Sequence, residues 1–100
     1  MVLFRSVFQA QFGKANELVA AFKDMNKFLT ADQMRSVQPR ILTDISGPFD
    51  TVVFETTHES LAALEQFRIA MFARTDISEG ESPTTGLIVS GRNEYYTIES

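Results

Sequence analysis

The chain contains no cysteine and no tryptophan, one histidine, and only five glycines and three prolines in 100 residues. Without cysteine there is no disulfide framework, no thiolate nucleophile, and no thiolate ligand for zinc or an iron–sulfur cluster. A lone histidine, His58, excludes any His-His metal site within one chain, although carboxylate sites remain possible. Positive charge is scarce too: nine Lys and Arg against thirteen Asp and Glu give a net charge of −4. Sequence-independent nucleic-acid binding needs a basic footprint to displace counterions from phosphates, and anionic membrane surfaces need the same. No apolar run approaches a membrane span, and the stretch from Met1 to Phe12 is interrupted by Arg5, Gln9 and Gln11, unlike a signal peptide. The chain therefore reads as cytoplasmic, with no nucleic-acid and no membrane partner.

Phenylalanine is what the sequence has in quantity, nine residues beside two tyrosines. So many rings need a thick core, an apolar cavity, or both. A chain of 100 residues that is 44% hydrophobic makes one domain, 1–100, that buries roughly two thirds of its unfolded-chain surface around one core.

From Val2 to Phe12 the even positions Phe4, Ser6, Phe8, Ala10 and Phe12 face one way, and Leu3, Arg5, Val7, Gln9 and Gln11 the other, which is a strand with one apolar face. After Gly13, residues Lys14 to Thr30 switch to helical spacing, with Leu18, Ala21, Phe22, Met25, Phe28 and Leu29 on one stripe. Ser36 to Ser46 alternates again; its Pro39 belongs at a strand start, edge or bulge, because it cannot donate a ladder hydrogen bond. Gly47-Pro48-Phe49-Asp50 is turn chemistry, and Thr51 to Thr57 reads as the hairpin partner. Ser60 can cap a second helix to about Arg74, striped by Ala63, Leu64, Phe67, Ala70 and Met71. Thr75 to Gly86 is a polar, acidic connection, and Leu87 to Glu99 closes the chain as a strand in which Gly91 predicts a bulge or a close backbone approach. The order β-α-β-β-α-β predicts an α+β, ferredoxin-like domain, a four-stranded antiparallel sheet with two helices on one face.

With Phe4, Phe8, Phe12, Ile41, Ile45 and Phe54 under the helices, the opposite sheet face carries Arg5, Arg40 and Arg92, the carboxylates Asp44, Glu55 and Glu94, and the apolar Val7, Leu42, Val53, Tyr96 and Ile98. That mixture suits a partly buried surface holding ion pairs, and predicts a homodimer through this face. A solvated face with cross-strand pairs is the simpler alternative.

The element order, the strand that ends in Phe12-Gly13-Lys14 before helix one, the Gly47-Pro48-Phe49 turn into Thr51-Val52-Val53-Phe54-Glu55, and the closing Gly91-Arg92-Asn93-Glu94-Tyr95-Tyr96 resemble the dimeric α/β-barrel superfamily. Within it the chain looks most like the NIPSNAP-like and small antibiotic-biosynthesis-monooxygenase-like proteins. The resemblance implies protomers packed sheet against sheet. It spans relatives as different as quinol and polyketide monooxygenases, haem-degrading enzymes, lactone isomerases and stress-responsive proteins, so fold does not choose the activity. Haem-degrading members carry an Asn on strand one and a Trp and a His on the later helix; here the strand position falls at Ser6, and the other two are absent from that helix.

His58, in the strand-to-helix segment Thr57-His58-Glu59-Ser60, is the default general base if the protein is an enzyme; read structurally, it is an exposed or capping loop residue that folding does not need. Asp44, Glu55 and Glu94 read more readily as partners of the arginines than as acid-base pairs. The spacing of Asp76, Glu79 and Glu81 lacks the ligand pattern of a calcium loop. No phosphate loop or Ser-His-Asp signature is present, and the sequence calls for no metal and no cofactor.

The residues predict instead a pocket between sheet and helices lined by Phe4, Phe8, Phe22, Phe54, Phe67 and Met71. Ser6 and Ala10 put small side chains between the large ones of strand one and so make space. Arg68 supplies a polar end for a ligand carboxylate or enolate, with Arg92 as the second candidate anchor. The competing readings of Arg68 are a side chain that snorkels to solvent and an ordinary pair with Glu65 one turn earlier. The expected ligand is an apolar or amphipathic small molecule, fatty-acid-like or aromatic, with one acidic group. The alternatives are a cofactor-independent monooxygenase acting on a quinol or polyketide-like aromatic, and a structural domain whose phenylalanines only fill the core.

Overall fold

In the computed structural model, which describes residues 1–74 and 86–99 with the side chains of 71–74 excepted, the elements run β1 (Val2–Ala10), α1 (Ala15–Asn26), α2 (Ala31–Val37), β2 (Arg40–Thr43), β3 (Thr51–His58), α3 (Leu61–Arg74) and β4 (Ile88–Thr97). The strands form one sheet in the order β2-β3-β1-β4 with every neighbouring pair antiparallel. Both long helices lie on the same face: Phe22 of α1 meets Phe8 and Phe54, and Phe67 of α3 meets His58. This is the expected ferredoxin-like sheet, with β2 at an edge and Pro39 immediately before it, where its missing N–H leaves no gap in the ladder.

The core sits between α1 and the sheet. Leu18 and Val52 are completely buried, and Ala10 and Phe22 complete the cluster; burying a leucine outright stabilises by roughly 1.5–3 kcal/mol. The rings of Phe8, Phe22 and Phe54 are spaced 5.3 and 5.6 Å apart in tilted contacts, the spacing of packed aromatic groups. Gly91 lies opposite Phe8 on β4, and the register shifts one step further on, between Gln9 and Ala10. Of the two alternatives expected at Gly91, the close approach is present, with the Phe8 ring against it, while the bulge falls two residues away at Val89.

Several boundaries differ from the sequence reading. β1 ends at Ala10, so Phe12 is not under the helices but 88% exposed, in a turn held by Gly13 N–H donating to Asp50 Oδ2. α1 ends at Asn26 rather than Thr30, which leaves Phe28 outside the buried stripe and half exposed. A further helix, α2, occupies residues for which the sequence pattern predicts a connection and the start of a strand. Thr30 and Gln33 form a reciprocal capping box at its start, and Val37 is buried at its end. β2 is consequently short: Ile45 lies outside it, fully exposed rather than in the core, and Asp44 accepts a hydrogen bond from Thr51 N–H instead of pairing with an arginine. As expected, Ser60 caps α3, its Oγ accepting from Ala63 N–H at 3.1 Å. The acidic connection with Asp76, Glu79 and Glu81 lies outside the described residues. Among the described residues no helix is long and apolar enough to cross a membrane.

Candidate functional site

Strand alternation and register decide which side chains α3 meets. Phe4 stands opposite Thr56 on β3 and Tyr95 on β4, and Ser6 opposite Phe54 and Asn93, so all six share the helix-facing side. This side is not uniformly apolar beneath α3. Ser6 Oγ donates to Asn93 Oδ1 at 3.0 Å, and Thr56 Oγ1 lies 2.7 Å from His58 Nε2. Ser6, Thr56 and His58 are all buried.

Arg68 lies across Phe4 and Tyr95. Its Cζ is 5.6 Å from the Phe4 ring centroid, its Nη1 donates to Tyr95 Oη at 3.2 Å, and the two rings are 5.1 Å apart. A guanidinium over an aromatic face is attracted by the ring quadrupole, worth about 0.5–1 kcal/mol when partly exposed. That contact and the Tyr95 hydroxyl draw Arg68 along the sheet. The ordinary pair with Glu65 is not formed, and among the described residues no carboxylate lies within ion-pair distance of Arg68. Arg68 and Tyr95, with Leu61, Leu64, Glu65 and Ile69, line an open cleft of about 440 Å³.

The candidate residues are thus divided. Arg68 and Phe4 come together at Tyr95. Phe8, Phe22 and Phe54 pack ring to ring between α1 and the sheet, Phe67 packs its ring 5.2 Å from that of His58, and none of these rings, nor that of Phe4, lines this cleft, so it is not the phenylalanine-lined pocket that was expected. The side chain of Met71 lies outside the described residues. Arg92 cannot anchor a ligand on the helix side, because it stands on the opposite face with its Nε 3.0 Å from Glu94 Oε2. His58 also requires correction: it is not an exposed loop residue but the last residue of β3, 5% exposed. Burial lowers the pKa of its imidazole and favours the neutral ring. Tyr95 was missed, although alternation from Glu94 and Tyr96 on the far face already places it under α3.

The far face carries the charge network that its composition predicts. Glu55, almost fully buried, takes Arg40 Nη2 on Oε2 at 2.5 Å and has Arg5 Nε 2.9 Å from Oε1. The Arg5 Nε–H is not aimed at that oxygen, so this second contact is Coulombic rather than a directed hydrogen bond. Arg5 also reaches Glu94 at 3.5 Å. The hydrogen bond from Arg92, and after it that from Tyr96, hold the Glu94 carboxyl below its ordinary pKa against the opposing effect of desolvation. Beside the charges, Leu42, Tyr96 and Ile98 are between 38% and 48% exposed.

Neither a protein-family model nor a curated protein matches the chain. Solved structures do. A NIPSNAP domain protein of Burkholderia xenovorans superposes with a TM-score of 0.81 at 14% identity, covering 100% of this chain and 96% of the other. A variant of MhuD, with two manganese protoporphyrin IX molecules bound per active site, has a TM-score of 0.78 at 12% identity and the same coverage. An antibiotic-biosynthesis-monooxygenase-like protein of Chloroflexus aurantiacus gives 0.64 at 13% identity, covering 99% and 93%. In backbone, the chain has the ferredoxin-like fold that NIPSNAP domain proteins and antibiotic-biosynthesis-monooxygenase-like proteins share.

Proposed function

We propose that this protein binds an apolar or amphipathic small molecule, fatty-acid-like or aromatic and bearing one acidic group, in the cleft between α3 and the end of β4. The observation that carries this reading is Arg68: a half-buried guanidinium without a carboxylate among the described residues, held over Phe4 by Tyr95 at the wall of an otherwise largely apolar cleft. A carboxylate offered to it adds ion-pair hydrogen bonds to the one that Arg68 already gives the Tyr95 hydroxyl. Equilibrium binding of decanoate tests this: Arg68→Ala should weaken it about tenfold or more, and unchanged affinity would refute the anchor.

A second reading, cofactor-independent oxygenation of a quinol or polyketide-like aromatic, is favoured by one observation, the neutral buried imidazole of His58 next to Phe67. Oxygen uptake on adding a quinol, abolished by His58→Gln, would support it. A histidine ligand for a porphyrin metal is not on offer in this chain, whose single histidine turns Nε2 to Thr56 inside the fold.

We also propose that two copies pair through the far sheet face, where Leu42, Tyr96 and Ile98 accompany the ion-pair network. Leu42→Asp should weaken that association by placing an uncompensated charge in it. A wild-type chain that scatters as a monomer at micromolar concentration would refute the pairing.

A further inference from the structure

Resting on the reading of the cleft as a ligand site, we infer that its ligand carries a hydrogen-bond donor, a hydroxyl or an amine, a few bonds from the acid, and that Glu65 recognises it. Glu65 and Arg68 are three residues apart on α3, a spacing at which side chains are neighbours and opposite charges ordinarily pair. Here they do not: Arg68 is turned toward Tyr95 and Phe4, and Glu65 lines the same cleft with no ion-pair partner among the described residues. Among the described residues the cleft wall therefore offers one carboxylate without a cation and, beside it, one guanidinium without a carboxylate, with Leu61, Leu64 and Ile69 as the apolar surface beyond them.

A simple fatty acid satisfies only half of this arrangement. Its carboxylate meets Arg68, but it also comes near the like charge of Glu65 and gives that group nothing. A ligand with a hydroxyl or amine close to the acid donates to the Glu65 carboxylate, which accepts only, and turns a repulsive neighbour into a second point of attachment. Two polar contacts one helical turn apart also fix the direction in which the apolar part lies. The chemical class is thus a hydroxy or amino acid with an apolar tail or ring.

The test compares 3-hydroxydecanoate with decanoate by calorimetric titration of the wild-type chain, Glu65→Ala and Arg68→Ala. Alanine suits an exposed helical position, so Glu65→Ala is expected to fold. The wild type should bind the hydroxy acid about tenfold more tightly, the contribution of one hydrogen bond to a charged group. Glu65→Ala should abolish that preference while keeping or improving decanoate affinity, and Arg68→Ala should weaken both acids. Equal wild-type affinities, or a preference that survives Glu65→Ala, would overturn the role of Glu65 while Arg68-dependent binding of decanoate still upholds the cleft. If neither acid binds, or Arg68→Ala changes nothing, the cleft reading fails and this inference with it.

Discussion

A Cβ at Gly91 would lie 2.8 Å from Cδ1 of Phe8, so the ring occupies the space that any other residue at position 91 would need. Phe8 cannot easily yield, since Phe22 holds the same ring from the helix side. We expect Gly91→Ala to destabilise the fold by about 1 kcal/mol, the low end of the overpacking range, because Phe8 is half buried and borders an open cleft. Urea denaturation measures this, and a loss below about 0.5 kcal/mol would mean that the ring moves freely.

His58→Ala should cost about 1–3 kcal/mol at neutral pH, because it removes a ring packed on Phe67 and leaves the Thr56 hydroxyl, 1% exposed, without its partner. The pH dependence has a definite sign. Burial lowers the His58 pKa below 6.5, so on acidification the unfolded chain takes up the proton before the folded one does. The favourable contribution of the neutral ring is present above that value and is lost as pH falls through the folded pKa. Denaturation midpoints measured across this window should decline on acidification in the wild type and decline less in His58→Ala. Parallel curves would show that His58 is not the group responsible.

Glu55 and its two arginines should behave unequally under substitution. Glu55→Gln removes the negative charge that Arg5 and Arg40 both face and should cost about 2 kcal/mol, less than a fully buried pair loses because water can reach the arginines. Arg40→Ala, whose side chain is 64% exposed, should cost under about 1 kcal/mol. Thermal denaturation of both variants would expose an equal or inverted order.

At the end of α2, Gln38 adopts φ 47° and ψ 62°, and its N–H donates to the Met34 carbonyl at 3.0 Å. A left-handed cap costs a residue with a Cβ about 1 kcal/mol that glycine does not incur. Gln38→Gly is therefore expected to stabilise the chain by up to about 1 kcal/mol, and a lower thermal midpoint would contradict this.

The sheet was legible because alternation in β1 and β3 is strict: Phe4, Phe8 and Phe54 separate cleanly from Arg5, Val7 and Glu55, and that division alone predicts the ion pairs of the far face. α2 was hidden by its length. Seven residues are too few for a helical stripe to assert itself, so Pro39 and Ile41 drew the preceding residues into a strand, although the capping signature Thr30-x-x-Gln33 was present to be read. Ile45 misled for a related reason: its position in the alternation says nothing once the strand has stopped at Thr43. Arg68 was legible as a candidate anchor from its place at the edge of a stripe. Its release from Glu65 was not, since that depends on where Tyr95 of a distant strand comes to rest. His58 was misplaced by a single feature, the extension of β3 to include it, which turned an expected surface residue into a buried one.

The two margins of the sheet are built differently. β2 is four residues long and is entered through Pro39, so it offers little backbone for a further strand, whereas β4 runs for ten residues and no described strand lies along its outer side. Unpaired backbone groups on a long margin are a template for strand addition, and a short margin beside proline is poorly suited to it. Among the described residues the sheet is thus asymmetric at its margins: the β4 side leaves the longer run of backbone groups facing outward, and the β2 side the shorter.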